Sequence, residues 1–123
     1  MKLTLSSRSQ NYIKGYDSGS VELTSQRIIT NCLIAPDQII TEWTTHEISQ
    51  LNQADIEPIL ALQPEIVILG SSVLHQFPSQ AINAAFLSRG IGLETMQLGA
   101  ACRTFNVLLS EDRRVVAALL LTN

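Results

Sequence analysis

Two stretches of this chain carry residue types able to do chemistry. The first is Gly70-Ser71-Ser72, which closes a short apolar run, the place where α/β proteins often hold ligands. Backbone amides and two hydroxyls there suit an anion. The stretch runs on to Leu74 and His75 without the Gly-Lys-Ser/Thr ending of a phosphate loop, and the dinucleotide fingerprint is missing. Leu74 also stands where a nucleophile elbow needs its second glycine. The second stretch holds Glu94, Arg103 and Asn106. Glu94 interrupts an otherwise apolar run, so its carboxylate calls for a cationic partner, and Arg103 can supply a forked hydrogen bond. Two expectations follow: a pocket gathering Gly70, Ser71, Ser72, Glu94, Arg103 and Asn106, or an ion pair between Glu94 and Arg103 that ties strand to helix.

The remaining candidates are weaker. His46 and His75 are the two histidines. His75 lies too close in sequence to Ser72 to act as an oriented base for it, and both read as loop or surface groups. No His, Cys and carboxylate set has metal-ligand spacing, so neither metal nor cofactor is expected. Cys32 and Cys102 sit in apolar segments and read as reduced, buried thiols. Trp43 reads as core, and Glu111, Asp112, Arg113 and Arg114 as turn charges.

The elements that must position these groups change character near Trp43. Residues 1–43 read as β: weak alternation over 2–5, then strands over 12–16, 21–24, 27–34 and 38–43, divided by Asp17-Ser18-Gly19 and Ala35-Pro36-Asp37. Their close spacing suggests a meander or small antiparallel layer. Thr44-x-x-Glu47 offers a capping box for one turn. A helix then ends near Leu62, starting at Asn52 or Asp55. Asp55 as cap keeps Pro58 in the first turn, where proline is tolerated. Residues 65–69 (EIVIL) form a buried strand, 79–89 a helix stopped by Gly90, and 91–96 a strand. A helix bearing Ala101, Cys102, Phe105, Leu108 and Leu109 on one face follows, then an apolar strand over 115–121. This α-β-α-β-α-β rhythm describes a sheet covered by helices, with the direction of the last strand left open by the pattern.

At 123 residues the chain is one domain with room for a core. Charged residues are 15% of it, fewer than usual, which makes the surface neutral and favours a docking face. A net charge of -3 without a basic cluster argues against nucleic acid. No apolar run approaches the length of a membrane helix, and the polar start is unlike a signal peptide. A cytoplasmic protein is expected.

Tyr12-x-x-Gly15-Tyr16, the Ile-rich strand closed by Pro36, Trp43, the 64–70 segment PEIVILG, the 90–96 segment GIGLETM and above all the 101–108 segment ACRTFNVL follow one another in order. The series resembles the family of mitochondrial complex I assembly factor 3 and the adipogenesis-associated Mth-like domain protein, which has many uncharacterised bacterial members. That resemblance implies a three-layer α/β fold: a mixed sheet of about five strands flanked by helices, with a small extra β layer from the N-terminal half. It also implies a last strand antiparallel to its neighbours. The family often has Gly-Thr-Gly where this chain has Gly70-Ser71-Ser72, and a tyrosine where it has Phe105. The function implied is non-catalytic: binding protein partners to aid assembly of a respiratory or membrane complex, with a homodimer open. The competing expectation is a small-molecule-binding protein or enzyme using the pocket named above.

Overall fold

The computed structural model describes residues 10–73 and 76–122. The expected strand over residues 2–5 and His75 lie outside them. Eight strands follow in chain order: β1 (Ile13–Asp17), β2 (Ser20–Leu23), β3 (Arg27–Ile28), β4 (Cys32–Ile34), β5 (Ile39–Ile40), β6 (Ile66–Ser71), β7 (Gly92–Gln97) and β8 (Val115–Leu120). The helices are α1 (Gln53–Ala61), α2 (Gln80–Leu87) and α3 (Leu98–Ser110), with a short 3-10 turn at Ile48–Gln50. Strands β1, β2 and β3 make a small antiparallel sheet, while the main sheet has the order β5-β4-β8-β6-β7. The expected layered α/β fold with its extra β layer is the one observed.

Two expectations about strands are corrected. Residues 10–43 do not form one layer, because the run expected as one strand over 27–34 divides into β3 and β4, and β4 leaves the small sheet and pairs antiparallel with β8. Nor is β8 antiparallel to both neighbours: it runs parallel to β6. A central strand must satisfy both edges, and here one partner arrives by a crossover through helices and the other from the N-terminal half.

All six residues of β8 are buried, because its two faces meet different cores. Val115, Ala117 and Leu119 join Ile68, Cys32 and Ile34, the small-sheet residues Val21, Leu23 and Ile28, and Ala101, Cys102, Phe105 and Leu109 of α3. Val116, Ala118 and Leu120 face Ile56, Ile59, Ile82 and Phe86 of α1 and α2. A continuous apolar strand therefore follows from two-sided burial. Cys32 and Cys102 are free and buried in the first core. Burial pushes their thiols up to about 12 and about 11 respectively, which leaves them unreactive.

Helix ends follow local chemistry. The cap of α1 is Asn52, not Asp55: the Asn52 side chain accepts from the Asp55 amide at 3.1 Å, and the Asp55 carboxylate accepts from the Asn52 amide at 2.9 Å. Pro58 consequently lies inside the helix, where its missing N–H leaves the carbonyl four residues earlier, on exposed Ala54, to water. Thr44 does not open the 3-10 turn; Glu47 does, with its amide donating to Gln50 Oε1 at 3.2 Å. Gly90, at φ +72, ends the turn after α2. The turn charges also tie elements together: Arg113 pairs with Glu65, and Arg114 pairs with Asp37 while donating twice to the Leu62 carbonyl that ends α1.

Candidate functional site

Parallel β6, β7 and β8 end on the same side of the sheet, at Ser71, Gln97 and Leu120. Antiparallel β4 begins there, beside Asn31. Along this rim runs a chain of depressions. One of about 650 Å³ lies between Ile29, Asn31, Glu42, Trp43, His46 and Asp55. It passes through a smaller one that shares Asn31 and His46 with it and also touches Ser71, Val73 and Gln76. A third, of about 240 Å³, lies between Ile48, Val73, Phe77, Thr95 and Met96. A fourth, of about 260 Å³, lies between Tyr16, Ser18, Ser71, Ser72, Leu98 and Gly99. The carboxyl ends of parallel strands are where α/β folds leave a crevice.

Of the six residues expected at a pocket, Ser71 and Ser72 line this groove. Each is also used structurally: Ser71 Oγ accepts from the Val73 amide at 3.0 Å, and Ser72 Oγ donates to the Ser18 carbonyl at 2.8 Å. That second bond lays the β1–β2 turn across the end of the main sheet. Gly70 lies beneath, against α3, where an added Cβ would stand 2.4 Å from the Ala101 Cβ.

Asn106 and Arg103 face the small sheet. Asn106 accepts from the Ile13 amide at 2.9 Å and donates to the Ile13 carbonyl at 2.8 Å, so its amide imitates a neighbouring strand. Arg103 Nη1 donates to Tyr16 Oη at 2.7 Å. The expected Glu94–Arg103 ion pair is not formed, and no ion pair among the described residues includes Glu94. Its strand β7 is an edge strand with Glu94 exposed to water, so the carboxylate needs no buried partner. The six residues do not make one pocket.

What the sequence reading missed is a cluster on Asp55. His46 Nδ1 lies 2.8 Å from Asp55 Oδ2, Thr44 Oγ1 donates to Oδ1 at 2.8 Å, and Trp43 Nε1 donates to the Asp55 carbonyl oxygen at 2.8 Å. Trp43 is half-buried, packed against the second core with its polar edge satisfied. Burial pushes the Asp55 carboxyl up, but the bonds from His46, the Asn52 amide and Thr44, with the charge of His46, hold it below the ordinary carboxylate range. An ionised Asp55 makes Nδ1 the donor to it in either state of the ring, and in the neutral imidazole Nε2 is then the unprotonated nitrogen. A carboxylate-oriented imidazole is half of an acid–base device, yet Thr44, the nearest hydroxyl in the cluster, is already donated to Asp55. The Asn-x-x-Asp capping pattern at residues 52–55 was the one readable signal; nothing in the spacing of His46 announces the pair.

A folded-state pKa below the unfolded one stabilises the protein above the ordinary carboxylate pKa, and that stability is lost as the pH falls from there through the folded-state pKa. Urea denaturation between neutral pH and about pH 3 should therefore show a fall in stability that flattens in Asp55→Asn. An equally steep fall in the variant would remove Asp55 from the account.

The five-stranded mixed sheet, its three helices and the small antiparallel sheet define a layered α/β fold. The chain belongs to the family described as "Protein of unknown function (DUF498/DUF598)", which matches residues 13–120. It is 27% identical over 111 residues to human NADH dehydrogenase [ubiquinone] 1 alpha subcomplex assembly factor 3, an alignment covering 89% of this chain and 60% of that protein. The chain thus spans about 60% of the length of this curated relative. Among solved structures, a Xanthomonas campestris protein is 37% identical with a TM-score of 0.81, over 90% of this chain and 84% of that one. A Bartonella henselae protein called an outer membrane protein is 28% identical with a TM-score of 0.80, over 94% and 98%. Among the described residues no helix is long and apolar enough to cross a membrane, and no group of three His, Cys, Asp or Glu could hold a metal ion.

Proposed function

We propose that the chain is an assembly-factor-like protein that binds protein partners through the groove at the carboxyl ends of its sheet, acting in the cytoplasm on the biogenesis of a respiratory or membrane complex. The observation that carries this reading is the apolar rim of the groove. Ile29 is 61% exposed, Val73 40% and Phe77 67%, and all three line depressions of the same rim. Exposed apolar side chains gathered on one concave surface mark a contact for another macromolecule. Kinship with an assembly factor supports the same reading by analogy.

The competing reading, ligand binding or catalysis, moves from Glu94, Arg103 and Asn106 to the His46–Asp55 pair, which opens on the 650 Å³ depression. Native-gel proteomics of membranes from cells lacking the chain separates the two. Under the assembly reading a multi-subunit complex accumulates as sub-assemblies, and the wild-type chain restores it. Ile29→Asp, which leaves the core untouched, should stay folded with stability within about 0.5 kcal/mol of wild type and fail to restore it. An unaltered set of complexes would overturn the assembly reading and direct attention to His46.

A further inference from the structure

Charge is not spread evenly over this protein. Glu42 and Asp55 line the depression of about 650 Å³, and Glu47 lines the passage that leads from it toward the one of about 240 Å³. Among the described residues, no lysine or arginine lines any of the four depressions. The cations lie elsewhere. Arg113 and Arg114 precede β8, and Arg89 lies between α2 and β7, at the amino ends of the parallel strands. Lys14 and Arg27 belong to β1 and β3 of the small sheet, and Arg103 is turned to Tyr16 of β1.

Ion pairing does not cancel the acidic side. Arg113 and Arg114 hold Glu65 and Asp37 at the far end, whereas no ion pair among the described residues joins Glu42, Glu47 or Asp55 to a lysine or arginine. A concave rim with apolar walls strengthens the field of such charges. Glu42 is held at φ +53, its amide donating to Thr30 Oγ1 at 2.9 Å. Glycine adopts that backbone with less strain, so the fold alone does not call for a carboxylate there.

Apolar groups sit among these acids. Half-buried Trp43 and exposed Ile29 share the larger depression with Glu42 and Asp55. An indole beside carboxylates suits an ammonium or guanidinium group, through charge and through cation–π attraction. The depression between Ile48, Val73, Phe77 and Met96 carries no ionisable side chain, and suits an aliphatic or aromatic one.

We propose that the partner segment received by this groove is basic and amphipathic. A lysine or arginine of the partner enters beside Trp43, Glu42 and Asp55, and an apolar side chain enters between Val73, Phe77 and Met96. This inference rests on the reading of the groove as a protein-docking surface and adds the chemistry that it selects. The same charges refuse an acidic segment, which meets like charge along the rim.

NMR titration of the full chain tests it. The probes are short synthetic peptides that share their leucine and phenylalanine positions and carry lysine, serine or glutamate at the intervening ones. The lysine peptide should bind about tenfold more tightly than the serine peptide at about 0.15 M salt, shifting the Trp43 indole and the amides of Thr45, Val73 and Phe77. The glutamate peptide should leave these signals in place. Glu42 and Glu47 are both exposed, and glutamine at 47 keeps the oxygen that accepts from Gln76 Nε2 at 3.2 Å. The double variant Glu42→Gln, Glu47→Gln should therefore stay folded, bind the serine peptide as the wild type does, and lose most of the lysine peptide's advantage. Serine and lysine peptides of equal affinity on the groove would overturn the basic preference and leave the groove a docking surface. Peptides that shift none of the groove signals would overturn both readings. A lysine advantage that survives the double variant, or shifts scattered away from the groove, would reduce the effect to general attraction and overturn the proposal. Broadening of the groove signals on concentrating the chain alone would give the groove to a second copy, and overturn it too.

Discussion

Gly70→Ala is expected to destabilise the protein by about 3 kcal/mol, lowering the melting temperature by roughly 10 °C. Gly70 is the penultimate residue of β6, and its missing side chain is what lets α3 lie close to the sheet. An added Cβ would stand 2.4 Å from the Ala101 Cβ and 3.0 Å from Leu119 Cδ2. Leu119 can move its side chain; Ala101 has no rotamer to change, so the helix itself must shift. A shift of α3 also loosens Phe105 and Leu109, which are fully buried. Pairing the substitution with Ala101→Gly removes the colliding atom, so the double variant should recover most of the loss. About 1 kcal/mol remains because glycine is unfavourable inside a helix. Denaturant unfolding of the four proteins reads the coupling directly. Additive losses would mean that the two positions do not meet as described.

The second large effect belongs to Asn106. Asn106→Ala removes both bonds to the Ile13 main chain and leaves a buried amide and carbonyl without partners, at a cost of about 2–4 kcal/mol. The loss should be local. Hydrogen exchange should accelerate across β1, β2 and β3, which Asn106 anchors to α3, and change little in β6 and β8. Uniform acceleration, or none, would contradict an anchoring role. Asn106→Asp separates donor from acceptor. The ionised side chain can still accept from the Ile13 amide but sets its second oxygen against the Ile13 carbonyl. Repulsion there raises the folded-state pKa above the unfolded value of about 3.9, so the variant is weakest at neutral pH. It recovers as the pH falls and a carboxyl O–H replaces the lost N–H donor. A stability gap from wild type that stays constant with pH would rule out this geometry.

Much of the frame was legible from local pattern. The apolar face of α3 reads directly from Ala101, Cys102, Phe105, Leu108 and Leu109 at helical spacing; four of them are buried, and Leu108 is half-buried against the same core. The runs at 65–69 and 115–121 read as buried strands and are β6 and β8. Gly90 reads as a stop and is one, at positive φ. These features depend on a residue and its near neighbours, through hydrophobic periodicity and backbone sterics. Boundaries were less legible. Asn52 and Asp55 each satisfy the rules for a cap, and the choice fell to Asn52 because Asp55 is also the acceptor for His46 and Thr44.

By itself, then, the sequence determined the layered α/β class, the buried faces, the reduced thiols and the resemblance that the family match bears out. Tertiary structure alone decided which polar residues meet. Glu94 looked like a buried charge because its neighbours are apolar, but whether a strand is central or at an edge depends on pairing partners distant in the chain. Asn106 looked like a site residue, yet its partner, Ile13, lies 93 positions away. Asp55 and His46, nine positions apart, come together only when the loop after β5 folds back over α1. Period and propensity act over a few residues; a side chain's partner is set by the path of the whole chain.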